Sequence, residues 1–77
     1  MAALVIPRDS ANSFRNWLKF AGHRVRDGFG DYELFQIHYG GHWMAVYRSD
    51  KRPQYATVDN RLLPLVEQFQ ESREFPH

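Results

Sequence analysis

The stretch that decides the fold is Tyr32–Arg48, YELFQIHYGGHWMAVYR, in which two runs of apolar and aromatic residues flank a pair of glycines. Such a pair favours a two-residue turn, because the turn types that close tight hairpins require positive φ, which glycine adopts without strain. The sequence therefore predicts a β-hairpin in which Gly40 and Gly41 form the whole turn.

This turn fixes which residues lie opposite each other in the hairpin. The expected pairs are Tyr39 with His42, His38 with Trp43, Ile37 with Met44, Phe35 with Val46, and Glu33 with Arg48. Alternation along a strand then places four apolar residues on one face, which we expect to be the core face: Phe35, Ile37, Met44 and Val46. The last pair joins opposite charges, and such a pair contributes a few tenths to about 1 kcal/mol.

The opposite face of the hairpin is also rich in aromatic residues. Large rings with polar tips are typical of binding surfaces, and contiguous exposed apolar area on a small domain usually marks an interaction site. The residues predicted to bind a partner are Tyr32, Leu34, His38, Trp43, Tyr47 and Tyr55. The alternative is that the N-terminal residues ALVI fold across this face and that its rings are structural.

Helical periodicity precedes the hairpin, and a strand and a second helix follow it. Apolar residues at a spacing of three and four predict a helix over residues 10–21, which begins at a cap formed by Asp9 or Ser10 and ends at Gly22. Residues 23–26, HRVR, form either a short strand or the lead-in to the next element. Residues 55–58, YATV, form a third strand.

The second helix begins at a cap formed by Asp59 or Asn60 and carries an apolar stripe as far as Phe69. Pro64 is tolerated in it because the amides of a first turn have no partner inside the helix.

This order of elements predicts a small two-layer α+β domain. Its order is α-β-β-β-α, with both helices packed on one face of a three-stranded antiparallel sheet. Residues 1–77 form a single domain, in which residues 1–8 are an N-terminal segment and residues 74–77 are a frayed tail.

Composition excludes several classes of protein. The chain of 77 residues is 43% hydrophobic and 16% aromatic, which is typical of a globular domain. It has no cysteine, which excludes a disulfide scaffold, a thiolate zinc site and a cysteine nucleophile. The N-terminal apolar run is too short for a signal peptide or a membrane span, so we expect a cytoplasmic protein that does not contact membranes.

Charge distribution gives a second hypothesis for the ligand. The net charge is only +1, but residues 8–26 contain five basic residues and one acidic residue. Aromatic rings on an open sheet can stack with the bases of single-stranded nucleic acid, and nearby basic residues can contact its phosphates. The residues predicted for such contacts are Arg15, Lys19, Arg24, Arg26, Lys51 and Arg52.

The predicted order of elements resembles double-stranded RNA-binding domains and HicA-type toxin nucleases. The last helix, RLLPLVEQFQ, lacks the lysine cluster that those RNA-binding domains carry at its start. The segment GDYELF has Tyr32 where HicA-type toxins have a histidine. The resemblance is one of topology, and neither function is carried over from it.

We predict no catalytic, metal-binding or cofactor-binding residue. His38 and His42 point to opposite faces of the hairpin, and the serines lack the glycine-flanked turn of a hydrolase. The chain looks like the small accessory inhibitors and adaptors of phages and plasmids. The expected function is therefore non-enzymatic docking on a protein partner. The alternatives are nucleic-acid binding, a toxin-type ribonuclease, and a homodimer that forms through the aromatic face.

Overall fold

The computed structural model describes residues 4–49 and 51–74, with side chains described as far as residue 72. Two short 3-10 turns, Arg8–Ser10 and Asn60–Leu62, lead into the two helices. The strands and helices are β1 (Leu4–Pro7), α1 (Ala11–Phe20), β2 (Val25–Asp27), β3 (Glu33–Tyr39), β4 (His42–Arg48), β5 (Tyr55–Val58) and α2 (Leu63–Glu74). Of the predicted frayed tail, residues 74–77, Glu74 is the last residue of α2, and residues 75–77 lie outside the described residues.

The α+β class and the antiparallel sheet are confirmed, but the sheet has five strands in the order β1-β5-β4-β3-β2 and not the predicted three. β1 pairs with β5, with Ile6 opposite Ala56, and therefore extends the edge of the sheet instead of crossing its face. β2 pairs with β3, with Arg26 opposite Gln36. Three or four residues carry too little alternation to indicate a strand, and these two segments become strands because a neighbouring strand offers backbone partners.

The predicted hairpin turn is confirmed. Gly40 and Gly41 have φ values of 61° and 84°, in the left-handed region that a two-residue turn requires. The register agrees with the prediction for four pairs, namely Tyr39 with His42, His38 with Trp43, Ile37 with Met44, and Phe35 with Val46.

The register differs from the prediction at the other end of the hairpin. A β-bulge between Glu33 and Phe35 places Glu33 opposite Tyr47, so the predicted pair of Glu33 with Arg48 is wrong. The extra residue in β3 breaks the alternation of side chains. As a result, Leu34 packs against the core cluster, and its predicted place on the aromatic face is wrong.

The core lies on one side of the sheet, beneath both helices. Phe14 of α1 is fully buried, with its ring centroid 6.2 Å from that of Phe35 and 5.2 Å from that of Phe69. The buried apolar side chains of both helices and of the inward-facing strand positions belong to one cluster. The members of this cluster are Ile6, Ala11, Phe14, Leu18, Phe35, Ile37, Met44, Val46, Ala56, Val58, Leu62, Leu65, Val66 and Phe69.

Asp59 caps the turn that leads into α2. It is one of the two residues, Asp59 and Asn60, that were predicted as alternatives for this cap. Its Oδ1 accepts a hydrogen bond from the backbone amide of Arg61 at 2.9 Å, and its Oδ2 lies 2.8 Å from a guanidinium nitrogen of Arg61. The side-chain hydrogen bond and then the backbone hydrogen bond from Arg61 lower the pKa of the Asp59 carboxyl. The ionised form is therefore the stabilising one.

We expect Asp59→Ala to lower the free energy of unfolding by about 1 kcal/mol at neutral pH, because the cap is lost. A lowered pKa in the folded state stabilises the protein above the ordinary carboxyl pKa of about 3.9, and this contribution is lost as pH falls through the folded-state value. Urea denaturation of parent and variant at neutral pH and at acidic pH measures the difference. A difference of the same size at both pH values would contradict the role of the ionised cap.

No helix in the described part of the chain is both long enough and apolar enough to cross a membrane.

Candidate functional site

The sheet face opposite the helices carries the candidate site. By register, its side chains alternate with those of the core, and no described side chain of α1 or α2 is buried against it. We call it the outer face, and its residues are Val5, Arg24, Arg26, Glu33, Gln36, His38, Trp43, Ala45, Tyr47, Tyr55 and Thr57.

Four of the six residues predicted to bind a partner lie on the outer face: His38, Trp43, Tyr47 and Tyr55. Tyr32 lies at its margin, in the turn before β3, and is 57% exposed. The guanidinium carbon of Arg48 lies 5.6 Å from the centroid of the Tyr32 ring. The structure thus brings most of the predicted set together on one surface, although the partner role of each residue stays a prediction.

Positive charge gathers around Trp43 at one corner of the outer face. The Arg26 guanidinium carbon lies 3.9 Å from the centroid of the Trp43 ring, and that of Arg24 lies 5.8 Å from it. His38 meets the same ring edge-to-face, with the centroids 5.2 Å apart. A guanidinium within about 6 Å of a tryptophan centroid is attracted by the ring quadrupole. We call Arg24, Arg26, His38 and Trp43 the basic corner.

A chain of hydrogen bonds fixes the position of Arg26 over the ring. Its Nε donates to Gln36 Oε1 at 2.6 Å, and Gln36 Nε2 donates to Glu33 Oε1 at 2.6 Å. The Phe29 amide donates to the same carboxylate oxygen at 3.1 Å. The oxygen and the nitrogen of the Gln36 amide each form a hydrogen bond in this chain, as a side chain that is only 7% exposed requires.

Glu33 is the acidic anchor of this chain. The hydrogen bond from Gln36 and then that from the Phe29 amide lower the pKa of the Glu33 carboxyl. The carboxylate therefore stays ionised at neutral pH and holds the Gln36 amide in the orientation that presents its oxygen to Arg26. Sequence reasoning missed this chain, although Arg24 and Arg26 stand two residues apart, which places them on the same face of a strand.

The other half of the outer face is apolar and aromatic. Val5, Thr57 and Tyr47 are neighbours across three adjacent strands, and Tyr55 lies on the same face of β5. Val5 and Tyr47 are each 40% exposed. Val5 was not predicted for this surface, because a strand of four residues at the N-terminus gave no clear signal. We call Val5, Thr57 and Tyr47 the apolar row, and it offers contact area on the same face as the basic corner.

The six residues predicted to contact nucleic acid do not form one surface. Only Arg24 and Arg26 lie on the outer face. Arg15 belongs to α1, where it pairs with Asp27 at 3.0 Å, and Lys19 is exposed on the same helix. The remaining two are exposed in the connection between β4 and β5: Lys51 and Arg52.

A further concave feature lies beside the connection that follows β4. A cavity of about 290 Å³ is lined by Arg8, Arg48, Ser49 and Pro53. None of these four residues carries an imidazole or a carboxylate that could activate the serine hydroxyl. Across residues 4–49 and 51–74, no group of three His, Cys, Asp or Glu side chains is placed to hold a metal ion.

Comparisons with protein-family models, with curated proteins and with solved structures gave no match for this chain. Inference about its function therefore depends on the chemistry of the outer face.

Proposed function

We propose that the protein is a non-enzymatic binding protein that docks on a protein partner through the outer face. The observation that carries this proposal is the unequal cover of the two faces of the sheet. Both helices pack on one face, whereas the other exposes Val5 and Tyr47 beside a cluster of arginine, histidine and tryptophan. Aromatic residues and arginine are enriched at protein interfaces and in their binding hot spots.

The position of Arg26 favours a protein partner over single-stranded nucleic acid. A nucleic-acid base needs an accessible ring face for stacking. At 3.9 Å from the centroid, the Arg26 guanidinium occupies one face of the Trp43 ring, and its hydrogen bond to Gln36 holds it there. Arg15 and Lys19, which were predicted to contact phosphates, lie on the helix side of the sheet and cannot add to the positive charge of the outer face.

The two halves of the outer face have different roles in this proposal. The apolar half supplies contact area whose burial drives association, since apolar burial contributes about 25 cal/mol per Å² before the costs of association. The basic corner supplies orientation and charge selectivity. Such a surface suits an accessory inhibitor or adaptor, whose action is to occupy a surface of its partner.

Nucleic-acid binding is the second candidate, because Arg24 and Arg26 do lie on the face that carries the rings. A homodimer formed through the same face is a variant of the first candidate. Sedimentation at two concentrations measures it, since a reversible dimer dissociates on dilution.

The test of the proposed function is affinity capture from source cells with the immobilised parent protein, with and without nuclease treatment. We expect the same protein to be recovered in both arms, because contacts centred on aromatic side chains do not depend on nucleic acid. Recovery that disappears after nuclease treatment would contradict a protein partner and support the second candidate.

A further inference from the structure

We infer that the partner presents an acidic segment to the basic corner, where its carboxylates pair with Arg24 and Arg26. This inference rests on the proposed docking function and adds the chemistry of the partner to it.

The first support is the preorganisation of Arg26. One of its five N–H donors, at Nε, is engaged by Gln36, and its guanidinium carbon lies over the Trp43 ring. Within the described residues, its terminal Nη groups make no hydrogen bond. An arginine held in this way loses little side-chain entropy when it binds a carboxylate, which its planar group can accept as a bidentate partner.

The second support is the unbalanced charge of the corner. Arg24 and Arg26 are both exposed, and neither forms an ion pair with another described residue. Glu33 is the acidic side chain of the outer face, and its carboxylate already accepts hydrogen bonds from Gln36 and Phe29. Covering this corner with a neutral surface would desolvate both arginines, of which only Arg26 is attracted by the Glu33 carboxylate, and this desolvation is costly. A partner that covers it must therefore supply negative charge.

The third support is the small size of the positive patch, which distinguishes a carboxylate from a phosphate backbone. Proteins that bind nucleic acid through its phosphates gain affinity from each phosphate that a lysine or arginine neutralises, so they need several cations along the strand. Here the outer face offers Arg24 and Arg26, next to an apolar row that begins at Tyr47. Two cations beside an apolar surface match a short acidic stretch within a protein interface.

The two tryptophans of the chain provide an internal test. Trp43 lies in the basic corner, whereas Trp17 packs on the helix side, with its ring centroid 6.3 Å from that of Phe14 and 5.8 Å from that of Phe69. Their indole N–H signals in a ¹H–¹⁵N NMR spectrum therefore report separately on the two sides of the sheet.

The experiment titrates the ¹⁵N-labelled full chain with decaglutamate and, separately, with an oligothymidylate of equal charge. We expect decaglutamate to shift the Trp43 indole signal and to leave the Trp17 signal in place. We also expect Arg24→Glu to weaken the affinity for decaglutamate by about tenfold or more. Lys19→Glu makes the same change in net charge on the exposed surface of α1, and with it we expect a change of less than about twofold.

Three results would overturn the inference. They are the absence of a Trp43 shift with decaglutamate, equal losses in Arg24→Glu and Lys19→Glu, and tighter binding of the oligothymidylate than of the peptide. A captured partner that binds Arg24→Glu as it binds the parent, but loses affinity for a Tyr47→Ala variant, would leave the proposed docking function intact and overturn the acidic segment alone.

Discussion

Replacing Gly28 with alanine is expected to lower the free energy of unfolding by about 2–3 kcal/mol, in the upper part of the range for side chains forced into occupied space. A Cβ at this position would lie 2.5 Å from both the Cβ and the backbone oxygen of Glu33, and 2.7 Å from its carbonyl carbon. Carbon atoms in contact are normally about 3.5–4.0 Å apart. Since two of the three atoms belong to the backbone, β3 itself would have to move.

The matched control is Gly30→Ala, two residues further along the same turn. Gly30 has a φ of 69°, but an added Cβ would meet no atom within 4 Å. We expect this variant to lose about 1 kcal/mol, the strain of a side chain in the left-handed region. Thermal denaturation separates the two variants, because 1 kcal/mol lowers the Tm of a domain this small by about 4–8 °C. A Gly28→Ala variant no less stable than Gly30→Ala would contradict the close approach.

The close approach of Glu33 to Gly28 means that a substitution at Gly28 should also affect the candidate site. Glu33 lies at the β-bulge and anchors Gln36, which in turn holds Arg26 over Trp43. A displaced Glu33 would loosen that chain. We therefore expect the residual folded population of Gly28→Ala to show a changed Trp43 indole signal and an unchanged Trp17 signal.

Local signals explain which parts of the fold could be predicted. The glycine pair at the turn specifies both its length and its backbone conformation, so four cross-strand pairs followed from it. The helical stripes were equally clear, because each extends over about two turns or more. The edge strand Leu4–Pro7 could not be predicted, because it depends on pairing with β5 far along the chain. At the other edge the sequence left a short strand open as one of two alternatives, and pairing with β3 makes Val25–Asp27 a strand.

The β-bulge between Glu33 and Phe35 could not be predicted either, because no alternation of residue types reveals an extra residue in one strand. Its consequence was the misplacement of Leu34, whose side chain was predicted on the aromatic face and packs instead against the core.

Most of the outer face could be predicted, because alternation from a correctly placed turn sorts the side chains of β3 and β4 onto two faces. The chain of contacts around Trp43 could not, because Arg26 reaches it from β2, whose pairing with β3 the sequence did not specify. One face of the Trp43 ring, which was expected to be accessible, is instead covered by Arg26.

The second large expected effect concerns Trp43. Its side chain is half-buried on the outer face and contacts Arg26 and His38, so its removal eliminates a ring and also releases the guanidinium that lies over it. Tryptophan is among the residues most enriched in interface hot spots, where truncation typically costs about 2 kcal/mol or more of binding energy. Because Trp43 does not belong to the core cluster, we expect the variant to stay folded.

The matched control is Phe20→Ala, which also removes an aromatic ring from the surface. Phe20 is 91% exposed at the end of α1, a helix whose buried side chains pack on the core face of the sheet. It lies outside the outer face, so its loss should not affect docking there. Circular dichroism spectra of both variants would establish that each retains the fold.

The measurement that tests the central claim most directly is the affinity of the captured partner for the parent, for Trp43→Ala and for Phe20→Ala, determined by titration calorimetry. An outer face that docks on the partner predicts about a thirtyfold loss for Trp43→Ala and an unchanged affinity for Phe20→Ala. Binding of folded Trp43→Ala at the parent's affinity, or a loss confined to Phe20→Ala, would contradict it.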